Sequence, residues 1–200
     1  MKQTFLIIPL ILFIALSSPG ELHATNLVFN GNLELPGFSV PAYYRYLYNG
    51  DSTTIQGWTV YDDGIGEASY LMNRGGYSVY EGNYTLSLNQ GSSIRTTFAS
   101  IANVSYQLSF YASISAHPNA TPLKVQVGEH VATFSQSGIQ IYDFVATSTN
   151  SNTLLEFIND GPVGDFKIHT LDVISIVVIP EPTTMVCLFM ALVLACFRKR

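Results

Sequence analysis

The chain has 200 residues, 48% of them hydrophobic and only 12% charged, with a formal net charge of −5 at pH 7. Outside its last three residues the cations are scattered among more numerous acids, which excludes the clustered basic face that nucleic acid requires. Both cysteines, Cys187 and Cys196, stand near the C-terminus, so the bulk of the chain can form neither a disulfide nor a cysteine-ligated metal site.

The first element is MKQTFLIIPLILFIALSSPGELHA. Lys2 supplies the charged start, Phe5 to Leu16 the apolar core, and Ala24 a small residue before the cut. This is a secretory signal peptide, residues 1–24. Its apolar run is interrupted by Pro9 and is too short for a permanent span, which wants about 20 residues. Setting aside this leader and the last 21 residues leaves a body from Thr25 to Ile179, roughly 155 residues and enough for one domain with its own core. The body carries five cations (Arg45, Arg74, Arg95, Lys124, Lys167) against twelve acids, so its formal charge is −7.

Within the body, NLVFNGNLELPG (Asn26 to Gly37) leads into PAYYRYLYNG (Pro41 to Gly50). That second stretch gathers Tyr43, Tyr44, Tyr46 and Tyr48 around Arg45. As a strand it sets Tyr44, Tyr46 and Tyr48 on one face, since side chains alternate with period two. Tyr61, Tyr70, Tyr77 and Tyr80 follow. Trp58, the single tryptophan, comes after Gly57 at the head of a strand and reads as core. Tyr84, Leu86 and Leu88 alternate with Thr85, Ser87 and Asn89. Val104, Tyr106, Leu108, Phe110 and Ala112 alternate with serines, Gln107 and Tyr111. Leu123, Val125 and Val127 repeat the pattern. Ile139 and Ile141 begin another such run, although Phe144 breaks its parity. Leu154 to Ile158 and Phe166 to Ile179 close the series. Between these runs lie turn residues such as Asn89-Gln90-Gly91, Gly128 and Asp160-Gly161-Pro162. Many short strands without a long helical stripe predict an antiparallel β-sandwich over residues 25–179.

The order of NLVFNGNLELPG, IQGWTV, EGNYTLSLN, SIRTTFASI, VSYQLSFYAS and HTLDVISI resembles the galactose-binding-like jelly-roll domains of the choice-of-anchor type. The resemblance covers nearly the whole body and implies an all-β jelly roll used for carbohydrate binding or scaffolding. In many such domains an Asn-Gly-x-Phe-Glu motif and an Asp of the last strand meet at a structural Ca²⁺. The matching positions are Asn30-Gly31-Asn32-Leu33-Glu34 and Asp172, so the resemblance implies Glu34 and Asp172 as metal ligands. Leu33 replaces the aromatic residue, and Val173 stands where related domains carry another oxygen donor. Without metal, Glu34 would cap a surface loop and Asp172 would pair with a nearby group.

For ligand binding, Tyr43, Tyr44, Tyr46 and Tyr48 are candidates because a tyrosine ring offers an apolar plane to a sugar and a hydroxyl to its rim. The same residues are also good strand formers. Asp62, Asp63, Glu67 and Glu81 fall in a loop-rich stretch, and paired carboxylates can hydrolyse glycosides, but nothing in the sequence sets their separation. No nucleophile elbow, His-x-x-x-His pair or phosphate loop is present, and His117, His130 and His169 are isolated. The expectation is a non-catalytic domain that binds polysaccharide or builds a matrix, with a secreted glycoside hydrolase as the alternative.

The last element is VIPEPTTMVCLFMALVLACFRKR. Pro180 and Pro182 stop any helix from running upstream. Met185 to Phe197 is an apolar run that reaches roughly 20 Å as a helix, against about 30 Å of hydrocarbon. Arg198, Lys199 and Arg200 hold their end in the cytoplasm. Pro180, Glu181, Pro182 and Thr183, a short apolar helix and a basic tail together resemble the PEP-CTERM sorting signal of Gram-negative bacteria, residues 180–200. That resemblance implies export through the inner membrane and transient anchoring by the tail. Exosortase would then process the chain, leaving it at the cell surface or in the extracellular matrix.

Overall fold

In the computed structural model, described residues are 25–36, 44–62, 68–72, 79–114, 121–147, 150–161 and 169–180. The expected signal peptide lies outside them, as do Tyr43, Glu181, Pro182, Thr183, the apolar run and Arg198, Lys199 and Arg200. The strands are β1 (Tyr44–Leu47), β2 (Thr59–Asp62), β3 (Ala68–Met72), β4 (Tyr84–Leu88), β5 (Ser92–Ser100) and β6 (Ser105–Ser113). They continue with β7 (Leu123–Val127), β8 (His130–Phe134), β9 (Gly138–Val145), β10 (Asn150–Asn159) and β11 (His169–Val178). Every pairing is antiparallel. A six-stranded sheet runs β1-β3-β4-β11-β6-β9 and a five-stranded sheet runs β2-β5-β10-β7-β8. This is the expected β-sandwich, with the crossings of a jelly roll.

Alternation explains why the sheets pack. In β6, Tyr106, Leu108, Phe110 and Ala112 are buried while the residues between them are half-exposed. Opposite them, β5 and β10 turn Ile94, Phe98, Leu155 and Phe157 inward. Phe110 and Phe157 meet edge-to-face across the two layers, ring centroids 5.0 Å apart. Trp58 is buried as expected, and its Nε1 donates to the Asn30 carbonyl at 3.1 Å. Each fully buried large side chain contributes about 1.5–3 kcal/mol.

One strand has its faces the other way round. In β9 the buried or half-buried side is Gln140, Tyr142 and Phe144, while Ile139 and Ile141 face outward, 51% and 59% exposed. Pairing with β6 decides the matter, because Tyr106 lies opposite Phe144 and Leu108 opposite Tyr142. Tyr106 and Phe144 stack at 5.5 Å. Two aromatic rings entering the core outweigh two isoleucines, and parity then forces both isoleucines out.

Candidate functional site

β11 does not run straight past its neighbour. Its register against β6 shifts between Asp172 and Ser175, and Val173 there adopts φ 49°, a left-handed conformation unusual for a β-branched residue. The N-terminal segment seals this bulge. Ile174 N–H donates to the Gly31 carbonyl at 2.7 Å, and Asn26 bonds the Ile174 carbonyl and the Ile176 N–H, each at 3.0 Å. A side chain at Gly31 would run into the Ile174 carbonyl, so the close approach requires glycine. Asn30 braces the same segment from φ 51°, its side chain bonded to both ends of Leu35 and to the Gln56 carbonyl.

The bulge brings Asp172 to the loop between β3 and β4, and the N-terminal segment brings Glu34 to the same loop. Asp172 is fully buried; its Oδ2 accepts from the N–H groups of Tyr80 at 3.0 Å and Glu81 at 3.2 Å, and its Oδ1 from Val173 at 2.8 Å. Glu34 Oε1 accepts from the N–H groups of Asn83 at 2.8 Å and Tyr84 at 2.9 Å, and Oε2 from the Asn83 amide at 3.1 Å. Gly82 lies between the two grips at φ +74°, with no room for a side chain beside the Glu34 carboxylate. Burial pushes the Asp172 carboxyl up to about 6; its three amide donors pull it down and the Glu34 charge raises it further. The pair suits a hard cation in charge and in oxygen chemistry. Among the described residues no group of three His, Cys, Asp or Glu side chains is placed to hold a metal, so other ligands would be carbonyls or water.

A second region is the outer face of the six-stranded sheet. Leu47 of β1 points into the core, which puts Tyr44 and Tyr46 on the opposite face. They are 41% and 44% exposed, and Tyr48, just past the strand, is 63% exposed. The Tyr44 and Tyr46 rings sit edge-to-face at 5.1 Å. Farther across this face Tyr80 stacks on Tyr111 at 4.1 Å.

The third region was not singled out from the sequence. On the outer face of the five-stranded sheet, Thr59, Arg95 and Glu156 form one row across β2, β5 and β10, and Tyr61, Ser93 and Ile158 form the next. Glu156 is buried although it points outward. Its Oε1 accepts from Ser93 Oγ and from Arg95 Nε, both at 2.6 Å. The Arg95 guanidinium lies 3.9 Å from the Tyr61 ring centre. Tyr61, Ser93, Arg95, Glu156 and Ile158 line a depression of about 460 Å³, together with Asp62 and Asp160. The available sequence signal was an acid at an outward position within the apolar run Leu154 to Ile158.

The remaining histidines on the described part are structural. His169 is buried and bonded to the Thr121 carbonyl at 2.9 Å, and burial holds its pKa below the ordinary value against that bond. His130 bonds the Val145 carbonyl at 2.8 Å. Among the described residues no helix is long and apolar enough to cross a membrane.

Two antiparallel sheets in this order define a jelly-roll β-sandwich. Solved structures share it. A cyclase from Fischerella sp. TAU, in complex with 4-(1H-indol-3-yl)butan-2-one, matches with TM-score 0.56 at 15% identity, over 79% of this chain and 99% of that one. An arabinose-bound α-L-arabinofuranosidase matches with TM-score 0.52 at 13% identity, over 81% of this chain and 27% of that one. A family 16 carbohydrate-binding module is 18% identical over 76% of this chain and 99% of that one, with TM-score 0.48. For the cyclase and the arabinofuranosidase the likeness is one of fold alone. No family model and no curated protein matches the sequence.

Proposed function

We propose that this chain is an exported bacterial surface or extracellular-matrix protein whose β-sandwich binds carbohydrate without catalysis. The observation that carries the reading is the exposed edge-to-face pair Tyr44 and Tyr46, with Tyr48 beside it, on the outer face of the six-stranded sheet. A second aromatic stack, Tyr80 on Tyr111, lies on the strand four places along the same sheet, roughly 20 Å away at strand spacing. Such a strip suits an extended polymer. Binding is favoured over hydrolysis because Glu156, the buried acid of the other outer face, is committed to Arg95 and Ser93.

Sorting by exosortase through residues 180–200 belongs to the same reading. The last strand ends at Val178, Ile179 N–H donates to the Ser105 carbonyl at 2.8 Å, and Pro180 is already exposed. In the sequence Pro180, Glu181, Pro182 and Thr183 follow directly on Ile179, and under this reading a processing enzyme would recognise them there. Glu34 and Asp172 would hold a structural Ca²⁺ that neutralises their shared charge and fixes the loop they grip.

Affinity electrophoresis of the full chain in gels containing neutral and acidic polysaccharides tests the binding reading. Retardation by at least one polymer is expected, and uniform mobility in all of them would overturn it. For the tail, mass spectrometry in a host with exosortase should find residues near the motif removed, and Glu181→Ala should block that removal while leaving export intact.

A further inference from the structure

We propose that the depression on the outer face of the five-stranded sheet is a second glycan-binding site, built for an uncharged polysaccharide. This rests on the carbohydrate reading but concerns the opposite face from Tyr44 and Tyr46.

The depression is organised around a preset guanidinium. A surface arginine ordinarily gives up rotamer entropy when a ligand fixes it. Arg95 is already fixed, by Glu156 at its Nε and by the Tyr61 ring against its plane. Glu156 is itself 5% exposed and shared with Ser93, so the anchor cannot swing away. Because Nε makes the bond, the two terminal amino groups are the part of Arg95 turned from Glu156, and its side chain remains 38% exposed. The guanidinium lies over one face of the Tyr61 ring, so each holds the other in place.

The ligand class follows from the charges. Arg95 already has Glu156 as its acid, and Asp160, also in the lining, is paired at 3.5 Å with Lys124. A uronate or sulfated chain would therefore find no unanswered cation here, within a body that is itself acidic. Sugar hydroxyls donate and accept, which matches a lining of carboxylates beside amino groups. The volume of about 460 Å³ lies within the usual range for small-ligand sites.

The test is affinity electrophoresis of the full chain against neutral galactan, xylan and β-glucan and against polygalacturonate, with Asp62→Asn, Asp160→Asn, Arg95→Lys and Tyr44→Ala variants. At least one neutral polymer should retard the parent, and Arg95→Lys should bind it about tenfold more weakly, the scale of one lost charged hydrogen bond. Asp62→Asn and Asp160→Asn leave Glu156 and its partners untouched; weakened binding in them with an unchanged melt supports the site even if Arg95→Lys folds poorly. Parent-like binding in both aspartate variants, with loss in Tyr44→Ala, would remove this site and leave the carbohydrate reading standing. Preference for polygalacturonate would overturn the uncharged class. No retardation of the parent on any polymer would remove the carbohydrate reading itself.

Discussion

Two parts of this sandwich bury a carboxylate, and they do it in opposite ways. Glu156 on the outer face of the five-stranded sheet is answered by a charge, Arg95, at 2.6 Å. Asp172 at the bulge is answered by three backbone N–H groups, from Tyr80, Glu81 and Val173. Amide dipoles satisfy hydrogen bonding but leave net charge in place, and Glu34 adds another carboxylate to the same loop. The face is therefore electrically closed, while the bulge stays sensitive to protons and cations.

The largest expected effect comes from opening the closed one. Arg95→Ala takes the counter-charge from Glu156 and should cost about 3 kcal/mol, the low end for a broken buried pair because the Arg95 side chain is itself 38% exposed. Arg95→Ala combined with Glu156→Gln removes the charge as well and should recover most of that loss. Urea denaturation of the two variants decides it. Equal destabilisation in both would mean that packing of the Arg95 stem on Tyr61, rather than charge, holds the face together.

At the bulge the lever is pH. Asp172 has a folded pKa of about 6 against an ordinary 3.8, so its contribution is full below pH 4 and is lost as pH rises through 6. The size is about 3 kcal/mol at one pKa unit per 1.36 kcal/mol. His169 runs the other way: its lowered pKa gives stability above about pH 6.5 that is lost as pH falls. The two are separated by difference. Parent minus Asp172→Asn, melted in chelator between pH 4 and 7, should fall with rising pH, and a flat difference would show that Asp172 carries no such burden.

Calcium should act on the same residue with nearly the same size. If Glu34 and Asp172 hold the ion, an excess of about 100-fold over its dissociation constant adds about 2.7 kcal/mol. Calorimetric melts with calcium and with chelator should differ in the parent and coincide in Asp172→Ala. Superimposed melts in the parent would reject the metal and leave the carboxylates as loop clamps.

How much of this contrast was legible in the sequence depends on the range over which it is encoded. β4, β6 and β7 announce themselves because period-two alternation is local, and Trp58 reads as core from the strand it opens. β9 does not, since its inward face is chosen by Tyr106 and Leu108 on another strand. Asn30-Gly31, Glu34 and Asp172 were joined into one site only through likeness to other domains, and the bulge that brings them together left no local signal in the sequence. The Arg95–Glu156 pair joins residues 61 positions apart on β5 and β10, and no local pattern distinguishes Arg95 from the other scattered cations. What fixes that pair is strand register, a property of the assembled sheet.

The smallest expected effect lies on the outer face of the six-stranded sheet, where no buried charge is at stake. Tyr44 and Tyr46 lie on a four-residue edge strand and keep 41% and 44% of their surface in water. More than half of each residue is covered but neither enters the core, so cutting either to alanine should lower the melt only modestly. A buried aromatic cut in the same way costs about 3–5 kcal/mol, which sets the scale of the contrast. Glycan affinity is where these rings should register. Each substitution should weaken binding by roughly 1 kcal/mol, the worth of an aromatic contact beyond its area. The two losses should not be additive, because the rings touch at 5.1 Å and removing one frees the other to move. Affinity electrophoresis beside a thermal melt of each single variant and of the double measures all of this together. A large drop in melting temperature without loss of retardation would make the tyrosines part of the scaffold, and the sandwich would then contact polysaccharide through its other face alone.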